Sequence, residues 1–396
     1  MSKKLVLVLG IRPDVIRCAI LIRILKAELG DKFVFIWSGQ HYSDNLKDIF
    51  FRELEVPLPD ITFELDTSSD TTTIASLSVQ IDEFLKSNEV AAVVYLGDTN
   101  TVASSIACAA NNIPIVHIEG CMRSYDWRMP EEKFRTQIDH LADVIYAYLD
   151  EYKSQGIAEG IPESRIVTTG NPIVDVLNEY FLSGKIRMNP AEKRNLFEKY
   201  GIKEKDYVVM TCHRRENIEN EENLQRILEL ISKIDKKVFF PAGYRTQKQL
   251  KLFNLSVPAN VILVDPIGYQ ELLELMYSSA FTITDSGTIV EEASILGIPT
   301  IQMRTSTERP QVYDVGGSIK FDPSMKSNST MLTETIHSVL SIIGKEWNHI
   351  LGDGQASKRI AEDLVKRLAS DDFRGHKPDF SSTQVARNFG EGILDK

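Results

Sequence analysis

One short stretch, His117 to Glu132, holds the residues best suited to acid/base chemistry. It follows Ile113–Val116, a short apolar run typical of a buried parallel strand. Ligands in open α/β sheets bind outside the carboxyl ends of strands, so we predict that this loop is the chemical centre. A simpler explanation is that Pro130 and the acids behind it only open the next helix, and both can hold. The stretch carries four carboxylates and two arginines: Glu119, Asp126, Glu131, Glu132, Arg123 and Arg128.

A further acid follows another predicted strand. Asp98 comes soon after the apolar run Ala91–Leu96, so it is expected at the same sheet edge as Glu119. The alternative is that Asp98 caps the helix that begins after Thr99.

Two turns are suited to an anionic phosphate group. Gly10 to Asp14 joins a predicted strand to a helix, but it lacks the glycine spacing of a Rossmann or Walker loop. Asp285 to Thr288 is a small-residue turn that opens a helix, which is the geometry of a phosphate cradle. Ser286 can also be interpreted as no more than the cap of that helix.

Strand, polar tip and helix alternate along the chain, which predicts parallel, doubly wound sheets. A polar stretch without apolar periodicity, 183–195, separates two such series. We therefore predict an α/β fold with two Rossmann-like domains that face each other across a cleft. The predicted divisions are an N-terminal domain 1–185 carrying the carboxylates, a C-terminal domain 186–368 and a tail 369–396. Lys133 to Tyr148 is expected to be helical or to begin helical.

Length and composition narrow the class of protein. The chain of 396 residues exceeds what one core usually covers, and 43% hydrophobic with 26% charged residues is ordinary for a globular protein. The formal net charge of −11 disfavours general nucleic-acid binding. Apolar runs stay shorter than the roughly 18 residues of a membrane span, and no signal-peptide pattern follows Lys3. We predict a cytoplasmic protein without a nucleic-acid or membrane partner.

The cysteines suggest neither a zinc site nor a disulfide framework, because they lack CxxC spacing. They are Cys18, Cys108, Cys121 and Cys212. Cys121 lies in the central loop, but spacing implies no partner histidine for nucleophilic catalysis. No metal site is predicted.

Several short motifs occur together in an order that resembles one family. They are Gly10-Ile-Arg-Pro-Asp, Gly97-Asp-Thr, His117-Ile-Glu-Gly, Arg123, Pro130-Glu-Glu, Cys212-His-Arg-Arg-Glu, Asp285-Ser-Gly, Glu291-Glu-Ala and Thr307-Glu-Arg-Pro. With these motifs the chain resembles the non-hydrolysing UDP-N-acetylglucosamine 2-epimerases, which have a two-Rossmann, glycosyltransferase-B-like architecture. The resemblance leaves only the tail outside.

The activity that this resemblance implies fits the chemistry of the residues. Inverting C2 of an N-acetylhexosamine by direct deprotonation is slow, because that hydrogen is barely acidic. Expelling UDP from C1 lets a carboxylate take the proton and gives a 2-acetamido-glycal. Re-addition of UDP with protonation on the other face completes the inversion, so no redox cofactor is implied.

The resemblance also implies roles for individual residues. Asp98, Glu119 and Glu131 are expected to handle the proton and the oxocarbenium-like charge. The residues expected to bind the UDP-sugar are Arg12, Arg17, Arg123, His213, Arg214, Ser286, Gly287, Thr288, Glu292 and Arg309, with Glu292 on the ribose. Gln40, His41 and Arg215 match an allosteric UDP-sugar site of regulated members, although a structural salt-bridge network explains them equally well. The family habit is a homodimer.

The chain departs from the family pattern at a few positions. Gly243 stands where a histidine in a Pro-x-His context is usual, and Arg17 stands where lysine is common. Cys121 and Met122 replace the common glycine and leucine. Arg17, Cys121 and Met122 resemble the branch acting on modified UDP-sugars, such as L-fucosamine or diacetamido-uronic acid derivatives. We therefore predict a UDP-N-acetylhexosamine 2-epimerase, for the pair UDP-GlcNAc and UDP-ManNAc or a related sugar. The same scaffold also suits two further functions, those of a hydrolysing epimerase and of a UDP-sugar-binding regulator.

Overall fold

Two parallel sheets form the framework of the protein. The computed structural model describes residues 3–39, 51–326 and 328–374. The first sheet has seven strands in the order β3-β2-β1-β4-β5-β6-β7. They are β1 (Lys4–Leu9), β2 (Phe33–Trp37), β3 (Ile61–Thr62), β4 (Val90–Leu96), β5 (Ile115–Ile118), β6 (Val144–Ala147) and β7 (Ile166–Thr168).

The second sheet, within the same described residues, has six strands in the order β10-β9-β8-β11-β12-β13. They are β8 (Tyr207–Thr211), β9 (Lys237–Pro241), β10 (Val261–Val264), β11 (Phe281–Thr284), β12 (Thr300–Met303) and β13 (Ser318–Phe321). Neighbouring strands in both sheets pair in parallel. The predicted α/β fold of two doubly wound halves is therefore confirmed.

Helices cover the sheets. In chain order they are α1 (Arg12–Leu29), α2 (Asp70–Ser87), α3 (Asn100–Ala103), α4 (Ile106–Ala110), α5 (Pro130–Leu141), α6 (Asp150–Ala158), α7 (Pro172–Val176), α8 (Pro190–Tyr200), α9 (Arg215–Ile218), α10 (Glu221–Ser232), α11 (Tyr244–Leu252), α12 (Tyr269–Ser278), α13 (Gly287–Ile295), α14 (Gln311–Asp314), α15 (Ser329–Leu340) and α16 (Ala356–Ser370). Among the helices described, none is long and apolar enough to cross a membrane.

The strand order creates a crevice in each sheet. β1 connects forward to β2 on one side, while β4 pairs on its other side, so the winding reverses between β1 and β4. The same reversal occurs between β8 and β11. At such switch points the loops after neighbouring strands separate, which leaves room for a ligand at their carboxyl ends.

The structure adds detail to two local predictions. The segment after Lys133 begins helical as predicted, but the helix ends at Leu141 and 144–147 is a fully buried strand. The stretch 183–195 has no apolar periodicity, yet α8 begins at Pro190 within it, where the Asn189 side chain accepts hydrogen bonds from the N–H groups of Ala191 and Glu192.

The predicted domain divisions remain predictions. The C-terminal helix α16 packs against α1 and α7. It therefore lies with helices of the first half of the chain.

Candidate functional site

The carboxyl ends of the strands from both halves border a cavity of about 410 Å³, called here the carboxylate cavity. Acids from the first half face a helix N-terminus and arginines from the second half. Of the residues predicted for the site, it is lined by Asp98, Glu119, Glu131, Arg17, His213, Arg214, Arg215, Ser286, Gly287, Thr288 and Arg309.

A second cavity of about 590 Å³ adjoins the first and is called here the apolar cavity. Its walls include Trp37, Phe51, Ile267 and Leu272, with Arg12 at one side. Five residues border both cavities: Ile11, Pro13, His213, Gly243 and Arg245. The two cavities together form one cleft with an apolar and a charged end, which suits a ligand with a ring system and an anionic part.

Glu119 lies directly after β5 and is held on both carboxylate oxygens. Arg17 pairs with Oε2, Arg309 donates to Oε1 at 2.9 Å, and the Tyr148 hydroxyl donates to Oε2 at 3.2 Å. The backbone of Glu119 has φ +74°, a left-handed conformation that costs a non-glycine residue on the order of 1 kcal/mol. Its N–H donates to the Tyr146 carbonyl at 3.1 Å, which helps to hold that conformation.

Asp98 is held by Arg135 of α5, and not by a helix end. Thr99 is the N-cap of α3, so the interpretation of Asp98 as the cap is wrong. Burial by itself raises the pKa of the Asp98 carboxyl, but the charge of Arg135 outweighs it and the net pKa is lowered. Arg135 also pairs with Glu132 at 3.0 Å and, across the two halves, with Glu308 at 3.1 Å.

Glu131 lies in the first turn of α5 and is partly exposed. Among the described residues its side chain has no hydrogen-bond or ion-pair partner. It borders the cavity together with Arg214. Burial lowers the pKa of Arg214, but Glu308 and other nearby carboxylates, including Glu131, raise it more, so the net pKa is raised. Glu131 is therefore a carboxylate that can turn toward a ligand without breaking an ion pair.

The N-terminus of α13 faces these acids from the other half. The Ser286 hydroxyl accepts from the Ile289 N–H at 3.3 Å, so Ser286 is a helix cap as well as a cavity residue. A Cβ on Gly287 would lie 2.6 Å from Nη1 of Arg309, so any side chain at this position would displace the guanidinium. The exposed N–H groups of a helix N-terminus favour an anion.

Asp285 fixes the loop that carries His213 and Arg214. Its buried carboxylate accepts hydrogen bonds from the backbone N–H groups of both residues at 2.9 Å and from the Asn217 side chain at 3.1 Å. The end of β8 and the end of β11 are therefore tied together beside the helix N-terminus.

Comparison with known proteins decides the family. A family model described as UDP-N-acetylglucosamine 2-epimerase matches residues 25–365. The chain belongs to the UDP-N-acetylglucosamine 2-epimerase family. The family predicted from the sequence motifs is confirmed.

Individual relatives match over most of their length. The chain is 34% identical over 371 residues to the UDP-N-acetylglucosamine 2-epimerase of Methanocaldococcus jannaschii, covering 91% of this chain and 99% of that protein. It is 27% identical over 372 residues to the UDP-2,3-diacetamido-2,3-dideoxy-D-glucuronate 2-epimerase of Pseudomonas aeruginosa, covering 92% and 99%.

Solved structures of the epimerase family share the fold. The M. jannaschii enzyme in complex with UDP-GlcNAc and UDP superposes with a TM-score of 0.83 at 33% identity, covering 92% of this chain and 99% of that chain. The Neisseria meningitidis enzyme bound to UDP-GlcNAc gives a TM-score of 0.79 at 27% identity, covering 92% and 100%.

Two predicted ligand-binding residues of this epimerase-family chain do not border either cavity. Arg123 is buried and pairs with Asp139 at 2.6 Å and Glu159 at 2.7 Å, so its geometry is that of a structural ion pair. Glu292 is buried on α13 and accepts a hydrogen bond from the Tyr269 hydroxyl at 2.7 Å. Burial raises the pKa of Glu292 to about 8.

The residues predicted for allosteric control are only partly described. Gln40 and His41 lie outside the described residues. Arg215 borders the carboxylate cavity and pairs with Asp70 at 2.6 Å across the two halves. This pair fits a structural salt bridge, while regulation stays a prediction.

Arg135 and Glu308, which form ion pairs with the cavity residues Asp98 and Arg309, are missing from the sequence-based prediction. Arg135 could have been found from its helical spacing to Glu131 and Glu132, since residues three or four apart share a helix face. Glu308 lies within the Thr307-Glu-Arg-Pro motif, but its role depends on partners far away in the chain.

Cys121 is poorly suited to nucleophilic catalysis. The Cys121 thiol is buried. Its burial and, to a smaller extent, the negative charge of Asp139 raise its pKa, which disfavours a nucleophilic role. The described residues contain no cluster of His, Cys, Asp and Glu that could hold a metal ion.

Proposed function

We propose that the chain is a non-hydrolysing epimerase that inverts C2 of a UDP-N-acetylhexosamine, with UDP-N-acetylglucosamine and UDP-N-acetylmannosamine as the first pair to test. The observation that carries the proposal is the composition of the carboxylate cavity. Asp98 and Glu119 at strand ends and Glu131 in the first turn of α5 face the N-terminus of α13 and the arginines of the other half. Proton transfer and expulsion of an anionic leaving group need this combination.

In the proposed reaction the C1–O bond to UDP breaks while a carboxylate removes the proton from C2, giving a 2-acetamido-glycal. Ser286, Gly287 and Thr288 bind the diphosphate together with Arg17 and Arg309. Asp98, Glu119 and Glu131 handle the proton and the positive charge on the sugar, and re-addition of UDP after protonation from the other face gives the epimer. Arg12, His213 and Arg214 serve the nucleoside and the mouth of the cleft. Glu292, which the resemblance assigns to the ribose, borders neither cavity.

A modified UDP-sugar is the second candidate substrate. Gly243 borders both cavities, and a Cβ built there would have no atom within 4 Å, so the cleft offers room for an extra substituent. A relative named as a UDP-2,3-diacetamido-2,3-dideoxy-D-glucuronate 2-epimerase favours the same candidate.

Proton NMR in deuterated buffer tests the reaction. Deuterium entering C2 of UDP-N-acetylglucosamine, with its epimer appearing and little free UDP, is the expected result. Free UDP accumulating with N-acetylmannosamine would instead indicate a hydrolysing epimerase. An absence of exchange with this sugar, followed by exchange with a diacetamido-uronic acid or L-fucosamine derivative, would select the modified substrate.

The proposal extends to a cytoplasmic homodimer that supplies precursors for surface polysaccharide. The family resemblance supports the dimer, and its substrate class supports the pathway. Sedimentation equilibrium gives the mass in solution, and loss of an acetamido-sugar from surface polysaccharide after gene deletion tests the pathway.

A further inference from the structure

Arg309 lies where the two halves of the cleft meet. Its Nη2 donates to Glu119 of the first half at 2.9 Å, while its Nε donates to Glu291 at 2.6 Å and its Nη1 to Glu308 at 3.2 Å. Nη1 is also within 2.6 Å of the position that a Cβ on Gly287 would take. One guanidinium therefore contacts both a carboxylate of the first half and the N-terminal residue of α13.

The surroundings of Glu119 make this contact important. Arg17 pairs with its other oxygen, and Arg17 is itself paired with Asp14 at 3.1 Å. Tyr148 donates the remaining hydrogen bond to Glu119. The side chains of Glu119 and Arg309 are 7% and 5% exposed, so water screens their attraction little. A change in charge near Arg309 should therefore change the electrostatic energy of the Glu119 carboxylate.

We infer that Arg309 acts as a common counter-cation for Glu119 and for the departing diphosphate. The inference rests on the proposed function, which puts the diphosphate at Ser286–Thr288. Glu119 takes the C2 proton, the C–H electron pair forms the C1=C2 bond, and the C1–O electron pair leaves on the β-phosphate of UDP. Glu119 loses one negative charge in this step and the phosphate gains one.

The total charge next to the Arg309 guanidinium is consequently the same before and after elimination. A cation that is already in place, and whose surroundings keep a constant charge, requires little reorganisation when the bonds change. The reverse exchange applies when Glu119 returns the proton to the face that it came from and UDP re-adds, which regenerates the starting sugar.

A pH–rate profile distinguishes this role from simple packing. A cation beside a carboxylate favours the ionised form, so removing the cation means that the base ionises only at higher pH. We expect Arg309→Gln to slow deuterium exchange at C2 of UDP-N-acetylglucosamine about 100-fold and to move the acid limb of the profile up by about one pH unit. Arg309→Lys keeps the charge and should show a smaller shift in the same direction.

Arg304→Lys is the matched control. Arg304 is also buried and pairs with Glu308 at 3.2 Å, but its contacts among the described residues do not include Glu119 or Gly287. This variant should keep the acid limb at the wild-type pH, even if its thermal unfolding temperature falls. Calorimetric titration with UDP shows whether each variant is folded and binds UDP. If Arg309→Gln does not bind UDP, the pH–rate profile of Arg309→Lys is used in its place.

An unchanged acid limb in the Arg309 variants would overturn the inference, and so would an equal shift in Arg304→Lys. The wild-type protein separates this failure from failure of the proposed function. If the wild type exchanges no C2 hydrogen in any UDP-N-acetylhexosamine, the proposed reaction itself is wrong and the role of Arg309 falls with it.

Discussion

Arg135 forms an ion pair with Asp98 on the wall of the carboxylate cavity. Arg135 is almost fully buried on α5, while Asp98 stands at the end of β4 and is partly exposed to the cleft. The pair therefore sets the charge of a carboxylate that faces the cleft. Because the pKa of Asp98 is lowered, Asp98 carries a negative charge throughout the neutral range.

Arg135→Gln should destabilise the protein by about 3–5 kcal/mol at pH 7, because three buried or partly buried carboxylates lose their cation. The pKa of Asp98 is lowered in the folded protein, so the stabilisation is present above its ordinary value of 3.8 and is lost as pH falls through the folded value. Urea denaturation at pH 7 and at a pH well below 3.8 measures the effect, which should shrink at the lower pH.

The exposed pair of Arg128 with Asp126 supplies the control for that experiment. The Arg128 side chain is 72% exposed, so Arg128→Gln should change stability by less than about 1 kcal/mol. Equal losses of unfolding free energy in Arg135→Gln and Arg128→Gln would contradict the view that the buried ion pairs of Arg135 stabilise the protein more than the exposed pair of Arg128 does.

Glu292→Gln should alter how stability depends on pH. Burial raises the pKa of Glu292 from 4.5 to about 8, so the folded state keeps a proton that the unfolded chain releases above pH 4.5. The wild type should therefore lose stability as pH rises from 4.5 to about 8, by on the order of 1 kcal/mol per pH unit. Glutamine still offers an oxygen to the Tyr269 hydroxyl but has no such titration.

Urea denaturation between about pH 5 and about pH 8.5 gives the free energy of unfolding at each pH. Plotted against pH, this free energy should change less for Glu292→Gln than for the wild type. Glu271→Gln is a suitable control, since Glu271 accepts a hydrogen bond from Tyr200 at 3.2 Å and is only partly buried. Its curve should keep the wild-type slope. Parallel curves for all three proteins would show that Glu292 is ionised in the folded state.

The convergence of Asp98 and Glu119 could be predicted from sequence for a simple reason. Each follows an apolar run, and parallel strands bring all their carboxyl ends to one edge of the sheet. β4 and β5 are neighbours, with Leu96 opposite Ile118. Local pattern was therefore enough to assign both acids to one site.

The arginines could not be assigned in this way. Arg123 and Arg135 lie close together in the chain, yet the first pairs with the buried Asp139 and the second pairs with Asp98 of the cleft. The difference depends on which acids the tertiary fold brings near, including Glu308, which is 173 residues from Arg135. Sequence motifs identify charged residues but not the partner that each charge meets.

Gly243→His should be tolerated by the fold and should change substrate preference. The backbone there has φ −59° and ψ 151°, which any residue can adopt, and its Cβ would meet no atom within 4 Å. Stability should stay within about 1 kcal/mol of the wild type. An imidazole beside His213 can donate a hydrogen bond to the ordinary substrate, which should lower KM for UDP-N-acetylglucosamine several-fold, up to about tenfold.

Gly287→Ala is the opposite case at a second glycine of the cleft. Its Cβ would displace the Arg309 guanidinium, so kcat should fall about 100-fold. Steady-state kinetics with UDP-N-acetylglucosamine give KM for Gly243→His and kcat for Gly287→Ala, each compared with the wild type. A large loss of stability in Gly243→His would show that the space at this position is filled in solution.

The structural position of Arg123 predicts separate effects on stability and binding. Arg123→Lys keeps the charge but cannot hold Asp139 and Glu159 together, so it should cost about 1–3 kcal/mol of stability. UDP affinity should change less than twofold, because Arg123 borders neither cavity. Arg12→Gln should lower UDP affinity at least about tenfold with less effect on stability, because Arg12 lines the apolar cavity. Calorimetric titration with UDP and urea denaturation measure both quantities, and a folded Arg123→Lys that no longer binds UDP would restore Arg123 as a ligand-binding residue.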